Sequence, residues 1–393
     1  MKLRTICSLG LLLLVCSALF AQLRVLPPPN PSCDGLSNLI EWGSQFRFNA
    51  CHTGYNSYEV ILSPASVGNL VLDWKYTTGD QIFLSTPAVA NGVVYVGSFD
   101  YNVYALNALT GAKLWSYTTG GPVLSSPAVA NGVVYVGSDD QNVYALNALT
   151  GAKLWSFATG NIVISSPAVA NGVVYVGSTD GIVYALNAAS GATLWIFQIG
   201  YYVFSSPAVA NGVVYVGSDY SYYGAVFALN AATGAYLWGY TTGSPVRSSP
   251  AVSNGVVYVG SFDHNVYALN AATGAKLWSY ATGGPVYSSP AVANGVVYVG
   301  SGDANVYALN AATGAELWSY ATCCAVDSSP AVANGVVYVS YYSTRVYALN
   351  AATGALLWSY PLSLEGSSPA VADGVVYVGA SDSSVYAFHL PGQ

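Results

Sequence analysis

The residues best suited to chemistry in this chain are few. Cys323 and Cys324 are adjacent, a pair that either closes a strained vicinal disulfide or stays as two thiols. His52, His264 and His389 make no metal-ligand spacing, and no metal site is expected. The abundant serines give no arguable Ser-His-Asp arrangement, there is no glycine-rich phosphate loop, and no residue takes a catalytic role. Aspartates recur at Asp100, Asp140, Asp180, Asp263, Asp303 and Asp382, where they suit turn formation better than calcium binding. A second series stands three residues before a recurring proline: Leu84, Leu124, Ile164, Phe204, Arg247, Tyr287, Asp327 and Gly366. Arg247, Tyr287 and Asp327 are successive in it. Together with Phe204 and the nearby Cys323 and Cys324 they are the candidate ligand contacts. The competing expectation is an Arg247–Asp327 ion pair that only closes a channel.

These residues are positioned by a repeat. Pro-Ala recurs at Pro87, Pro127, Pro167, Pro207, Pro250, Pro290, Pro330 and Pro369, in steps of about 40 residues with one of 43. Tryptophan recurs in phase at Trp74, Trp115, Trp155, Trp195, Trp238, Trp278, Trp318 and Trp358. Each unit parses into four short strands. SPAVA leads to an Asn-Gly turn, VVYVGS to a polar turn, VYALN to a Thr-Gly turn, and LWSF to a glycine-containing connection. No segment holds a helical period. Four strands per 40 residues predict propeller blades, so the fold expected is all-β: an eight-bladed β-propeller of four-stranded antiparallel blades over residues 72–390. The last unit ends at VYAFHL without its tryptophan strand, and the segment around Trp74 supplies one. That N-terminal strand should complete the last blade and close the ring. A transmembrane barrel fits poorly, since its strands should run about 9–11 residues without a proline in each repeat.

The composition agrees with stacked blades. Of 393 residues 53% are apolar and 7% charged, which excludes disorder, and a net charge of −7 without a basic stripe speaks against nucleic acid. Leu9–Phe20 is too short to span a membrane as a helix, and with the basic start Met1–Arg4 and the small Ala18 and Ala21 it reads as a signal peptide over 1–21. Cys16 follows Val15, which argues against lipidation. Residues 22–71 form a lead-in. Export makes cysteines interpretable, and Cys33 and Cys51 in the lead-in are candidates for one disulfide. The place expected is secreted, periplasmic or cell-envelope, and the chain is expected to be a monomer.

The run Ala105–Trp115, ALNALTGAKLW, resembles the tryptophan-docking motif of the PQQ-like (pyrroloquinoline quinone) β-propeller repeats, with Asn107 where the family usually has Asp. The resemblance covers all eight units and implies a structural docking role for the eight tryptophans. Trp42, Phe46, His52–Asn56, Leu62–Pro64 and Leu72–Trp74 resemble the segment that opens the propeller in quinoprotein alcohol dehydrogenases and their non-enzymatic relatives. Some members of the family oxidise alcohols with pyrroloquinoline quinone and Ca²⁺. Others, such as the propeller lipoprotein of the outer-membrane assembly machinery, are binding scaffolds. The enzymes are longer, and their catalytic Asp and calcium-binding Glu/Asn/Asp set has no recognisable counterpart here. The vicinal cysteines alone favour the enzyme.

Comparison of the eight copies locates a surface. The Asn-Gly and Thr-Gly turns are nearly fixed. Variation gathers in the turn after VGS and in the connection into SSP, which lie on one face of an up-and-down blade. Drift in exposed loops would have loosened both faces alike, so the variable face reads as the recognition face. Eleven acidic and two basic residues fall on it, a formal −9. The function expected is therefore a non-catalytic scaffold that binds a protein, peptide or glycan through one acidic, divergent face, with no cofactor. The alternative is a small quinoprotein oxidoreductase holding the quinone and calcium at the channel mouth.

Overall fold

The computed structural model describes residues 45–392 apart from 221, 342–344 and 363–366. The expected signal peptide, Cys33, Trp42 and Gly366 lie outside the described residues. Blade 1 comprises Ala88–Ala90, Val93–Gly97, Asn102–Asn107 and Lys113–Thr118, and each later blade repeats this four-stranded antiparallel order. Blade 8 is composite. Its innermost three strands are Ala370–Ala372, Val375–Ala380 and Ser384–His389, and its outermost is Val71–Thr77 from the front of the chain, paired antiparallel with Ser384–His389. The ring is thus an eight-bladed propeller closed by the Trp74 strand.

Local sequence sets each blade. Asn131 and Gly132 both take positive φ (51° and 73°), the two-residue turn whose twist matches a hairpin. Asn147 Oδ1 accepts the Leu149 and Thr150 N–H groups at 3.0 and 2.9 Å, tying off the next turn but one. A bulge at Lys113–Trp115 follows in the outermost strand of blade 1, leaving Leu114 exposed while Trp115 turns inward.

The core lies between blades rather than within them. Tyr95, Val103, Ala105 and Trp115 of blade 1 pack on Val134, Val136, Tyr144 and Leu146 of blade 2. Strands buried on both faces explain why VVYVG and VYALN are apolar without alternation. Trp115 Nε1 donates to Ala148 O of the next blade at 2.9 Å, and Tyr95 Oη donates to the same carbonyl at 3.2 Å. The pattern continues round the ring, from Trp74 to Ala108 O through Trp318 to Ala351 O. It changes at one seam. Blade 8 lacks the ALNAATGA turn, and Trp358 Nε1 donates instead to Leu70 O at 3.0 Å. Tyr338, the tyrosine that would share that carbonyl, is fully buried with its hydroxyl unpartnered.

The lead-in lies inside the ring. The Gln45 amide bonds both backbone groups of Val169 in blade 3 (2.9 and 3.1 Å). Ala50, Cys51, Thr53 and Gly54 carbonyls then accept from Val209, Val252, Val292 and Val332 N–H at 2.7–2.9 Å. Tyr55–Asn56 pairs parallel to Ala331–Ala333, and Asn56 Nδ2 donates to Val371 O at 3.0 Å. One short segment therefore visits the innermost strands of blades 3 to 8 in order. Cys51 is buried and disulfide-bonded; the Cys33 half of the expected pair falls outside the described residues.

Candidate functional site

The 43-residue step lengthens one hairpin. In blade 4 the strands Val213–Tyr220 and Tyr223–Asn230 run eight residues each, with Tyr220 opposite Tyr223. The hairpin stands up from the variable face. Tyr201 packs on Tyr220 with centroids 4.0 Å apart, and Tyr220 on Tyr223 at 4.7 Å. Tyr202 meets Phe204 edge to face at 5.8 Å. The Asp219 N–H donates to Tyr202 O at 2.9 Å, fastening the hairpin to the connection before it.

Between this hairpin and blade 5 opens a cleft of about 740 Å³, lined by Tyr202, Asp219, Tyr220, Arg247 and Phe262 among others. Arg247 stands at its centre. Its guanidinium lies over Phe204 at 4.8 Å and Phe262 at 5.1 Å, while Nε meets Asp219 Oδ2 at 2.5 Å. Asp219 is almost wholly buried and Arg247 about half exposed, so the pair presents a held, water-facing cation. Phe262 in turn packs on Tyr287 at 4.1 Å. Tyr222 is 81% exposed and Tyr202 55%, which leaves broad aromatic faces in water without an internal partner for most of their area.

Of the six candidate contacts, Phe204, Arg247 and Tyr287 come together through Phe262. Arg247 turns back to Asp219 of blade 4 rather than forward to Asp327, so the expected Arg247–Asp327 pair does not form. The reason is the longer hairpin, which brings Asp219 to the guanidinium. Asp327, in the connection from blade 6 to blade 7, keeps a buried Oδ1 without a hydrogen-bond partner, and burial raises its pKa. Cys323 and Cys324 lie four and three residues earlier. Their sulfurs are 3.0 Å apart, and Thr322 Oγ1 donates to Cys324 O at 2.7 Å.

The turn aspartates are bound into the fold. Asp140 Oδ2 accepts from Tyr144 Oη and from Gly120 N–H of the preceding connection, each at 2.6 Å, while Oδ1 accepts from Asn142 N–H. Asp100, Asp180, Asp263 and Asp303 repeat this arrangement. Burial pulls the Asp140 and Asp303 carboxyls up, but these hydrogen bonds outweigh it and hold both below the ordinary 3.8.

Asp219, Tyr220 and Phe262 belong to the variable turns after VGS, and the structure brings them beside Arg247. Neither Arg47 nor Glu59 was expected from the sequence. Arg47 is fully buried in the channel, and burial lowers its pKa to about 9. Glu59 accepts the Ile61, Leu62 and Gly374 N–H groups at 2.6, 3.0 and 2.9 Å, pinning the lead-in to the Asn-Gly face of blade 8. The signal available was their isolation: the only Lys, Arg, Asp or Glu between residues 45 and 71 are Arg47 and Glu59.

Residues 68–201, 158–242, 179–325 and 323–390 match the family described as outer membrane protein assembly factor BamB. No curated protein matches in sequence. Among solved structures, the chain is similar to quinohemoprotein alcohol dehydrogenase ADHIIG from Pseudomonas putida HK5 (TM-score 0.77, 18% identity, 92% of this chain and 83% of that one). It is similar to BamB from Moraxella catarrhalis (TM-score 0.69, 18% identity, 81% and 99%) and to the computationally designed Ika8 protein (TM-score 0.72, 20% identity, 80% and 98%). At these identities the likeness carries the fold alone.

A quinone with calcium needs a cluster of oxygen donors. Among the described residues no three His, Cys, Asp or Glu side chains converge, and the one carboxylate lining the cleft, Asp219, is already bonded to Arg247. The donor set lining that cleft does not fit the pair. Among the described residues no helix is long and apolar enough to cross a membrane.

Proposed function

Because this chain belongs to the family of PQQ-like propeller repeats described as outer membrane protein assembly factor BamB, we propose that it is a non-catalytic, exported scaffold of the cell envelope that binds a polypeptide through its variable face. The observation that carries this reading is the cleft on blades 4 to 6, where exposed tyrosines surround a cation held by two phenylalanine rings and a buried carboxylate. Tyrosine and arginine are the residues that dominate binding energy at protein interfaces. Arg247 has little freedom left to lose on binding, since Asp219 and both rings already fix it. The formal negative charge elsewhere on this face is largely engaged in the turn hydrogen bonds, which leaves the aromatic cleft as the adhesive part.

The test uses synthetic extended peptides of alternating apolar and polar residues, the pattern of outer-membrane strands, beside a panel of oligosaccharides. Fluorescence anisotropy would measure binding to the full chain and to the triple variant Tyr202→Ser, Tyr222→Ser, Tyr287→Ser. Saturable peptide binding weakened at least tenfold in the variant, with an unchanged circular dichroism spectrum, supports the proposal. Oligosaccharide binding alone, or equal peptide binding by both proteins, overturns it. A small quinoprotein oxidoreductase would instead give a bound-quinone absorbance and alcohol-dependent dye reduction on addition of quinone and Ca²⁺, and that result would also overturn the scaffold reading.

A further inference from the structure

Among the described residues, Arg47 is a buried cation without a carboxylate partner, inside the ring. It is 6% exposed. Its Nη1 donates to Pro330 O at 2.8 Å and its Nη2 to Pro290 O. These are neutral carbonyls, and among the described residues no carboxylate pairs with it. Its Nε–H has no hydrogen-bond partner. A guanidinium keeps its proton even when buried, so the charge must be met by something other than deprotonation. His52, also fully buried in the lead-in, offers no negative charge: burial first and Arg47 second lower its pKa to about 3, so it stays neutral.

A cavity adjoins this charge. It has a volume of about 40 Å³ and is lined by Arg47, Phe48, Thr86 and Ser368, between the lead-in and the innermost strands of blades 1, 7 and 8. That is more than the roughly 10–15 Å³ one water needs, and far less than an organic ligand needs. Thr86 lines it too. At 5% exposure its Oγ1 is likewise without a partner. Elsewhere round the ring each blade's serine hydroxyl receives an N–H from the blade before it, as Ser126 N to Ser166 Oγ at 2.9 Å, and Thr86 takes the serine's place where the series begins. The other polar side chains on the cavity are spent. Gln45 is bonded through both amide atoms to Val169, and Asn56 through Nδ2 to Val371 O and through Oδ1 to the Tyr58 and Glu59 N–H groups.

We propose that this cavity is a binding site for a small monovalent anion of halide size, held by the Arg47 Nε–H and the Thr86 hydroxyl. The chemistry selects the sign. One orphan group is a charged donor that repels a cation, and the other is a hydroxyl that can turn its proton to an anion. A water molecule would satisfy either hydrogen bond but leave the buried charge uncompensated. The bound anion would neutralise the guanidinium where the lead-in crosses the channel, so it locks the plug in the ring. The site is separate from the cleft on blades 4 to 6 and does not depend on the scaffold reading.

The experiment is crystallography of the full chain grown or soaked in bromide, with thermal unfolding in sodium bromide against sodium gluconate at matched ionic strength. The expected result is an anomalous bromide peak within hydrogen-bonding distance of Arg47 Nε and Thr86 Oγ1, and a melting temperature that rises saturably with bromide. Thr86→Val removes only the hydroxyl and should weaken the apparent bromide affinity about tenfold or more, the loss of one hydrogen bond to a charge. No anomalous density at Arg47 at saturating bromide overturns the proposal, and so does a bromide dependence that Thr86→Val leaves unchanged.

Discussion

Two glycines in blade 2 separate backbone strain from side-chain collision. Gly132 and Gly151 have nearly the same positive φ, 73° and 71°. A Cβ on Gly132 would meet nothing within 4 Å, whereas one on Gly151 would lie 2.7 Å from Cε3 of Trp115. Gly132→Ala should therefore cost only the left-handed backbone penalty, about 1 kcal/mol. Gly151→Ala carries the same penalty and must also displace the indole of the neighbouring blade. Trp115 is buried and its Nε1 bond to Ala148 O is 2.9 Å, so the displacement forfeits about 1 kcal/mol of hydrogen bond and part of the ring's packing. The total should be about 3 kcal/mol. Urea titration of each variant, followed by tryptophan fluorescence, measures the difference. In melting temperature about 1 kcal/mol amounts to only roughly 1–2 °C for a domain of this size, so denaturant is the sharper assay. Equal losses in the two variants would refute the view that the glycine is required by the ring against it.

Two further outcomes follow from the seam and the turns. Tyr338→Phe should be neutral or stabilising, because it deletes a buried hydroxyl with no partner, while Tyr298→Phe should lose about 1 kcal/mol with its 3.1 Å bond to Ala351 O; denaturant midpoints compare them. Asp140 has a folded pKa below its ordinary 3.8, so its stabilising contribution is complete above that value and is lost as pH falls through the lowered one. The stability gap between the protein and Asp140→Asn should therefore be widest above pH 4 and narrow on further acidification, and a gap independent of pH would exclude an ionic role.

The fold was legible because seven units carried the same turn and tryptophan signals and the eighth carried the rest, so any single misreading would have been outvoted by the others. The closure by Trp74 was legible because one unit lacked a strand and the front of the chain had a spare. The interior of the channel was not. Gln45, Arg47 and Glu59 occur once each, and no periodicity says that their backbone will run round inside the ring. The cleft was half legible. Position in the repeat put Arg247 and Tyr287 on the variable face, but side-chain direction followed from Asp219, directly after VGS in the lengthened hairpin of blade 4, which pairs with Arg247 in place of Asp327. Blade 4 also has no counterpart of the turn aspartate Asp140, so the tyrosine hairpin stands on a turn without that brace.

The path of the lead-in also dictates an order of events. Its hydrogen-bond partners are the innermost strands of blades 3 to 8, so this segment, made before the blades, is not fully seated until blade 8 has been made. The outer strand of blade 8 waits in the same way for Ser384–His389. During synthesis this segment must stay uncommitted while more than 300 residues follow it, and closing the ring comes after the blades it joins. Such long-range closure makes the last step slow. A circular permutant that begins at Thr78 and carries residues 45–77 after His389 would place both partners of that step beside each other and should fold faster at similar stability.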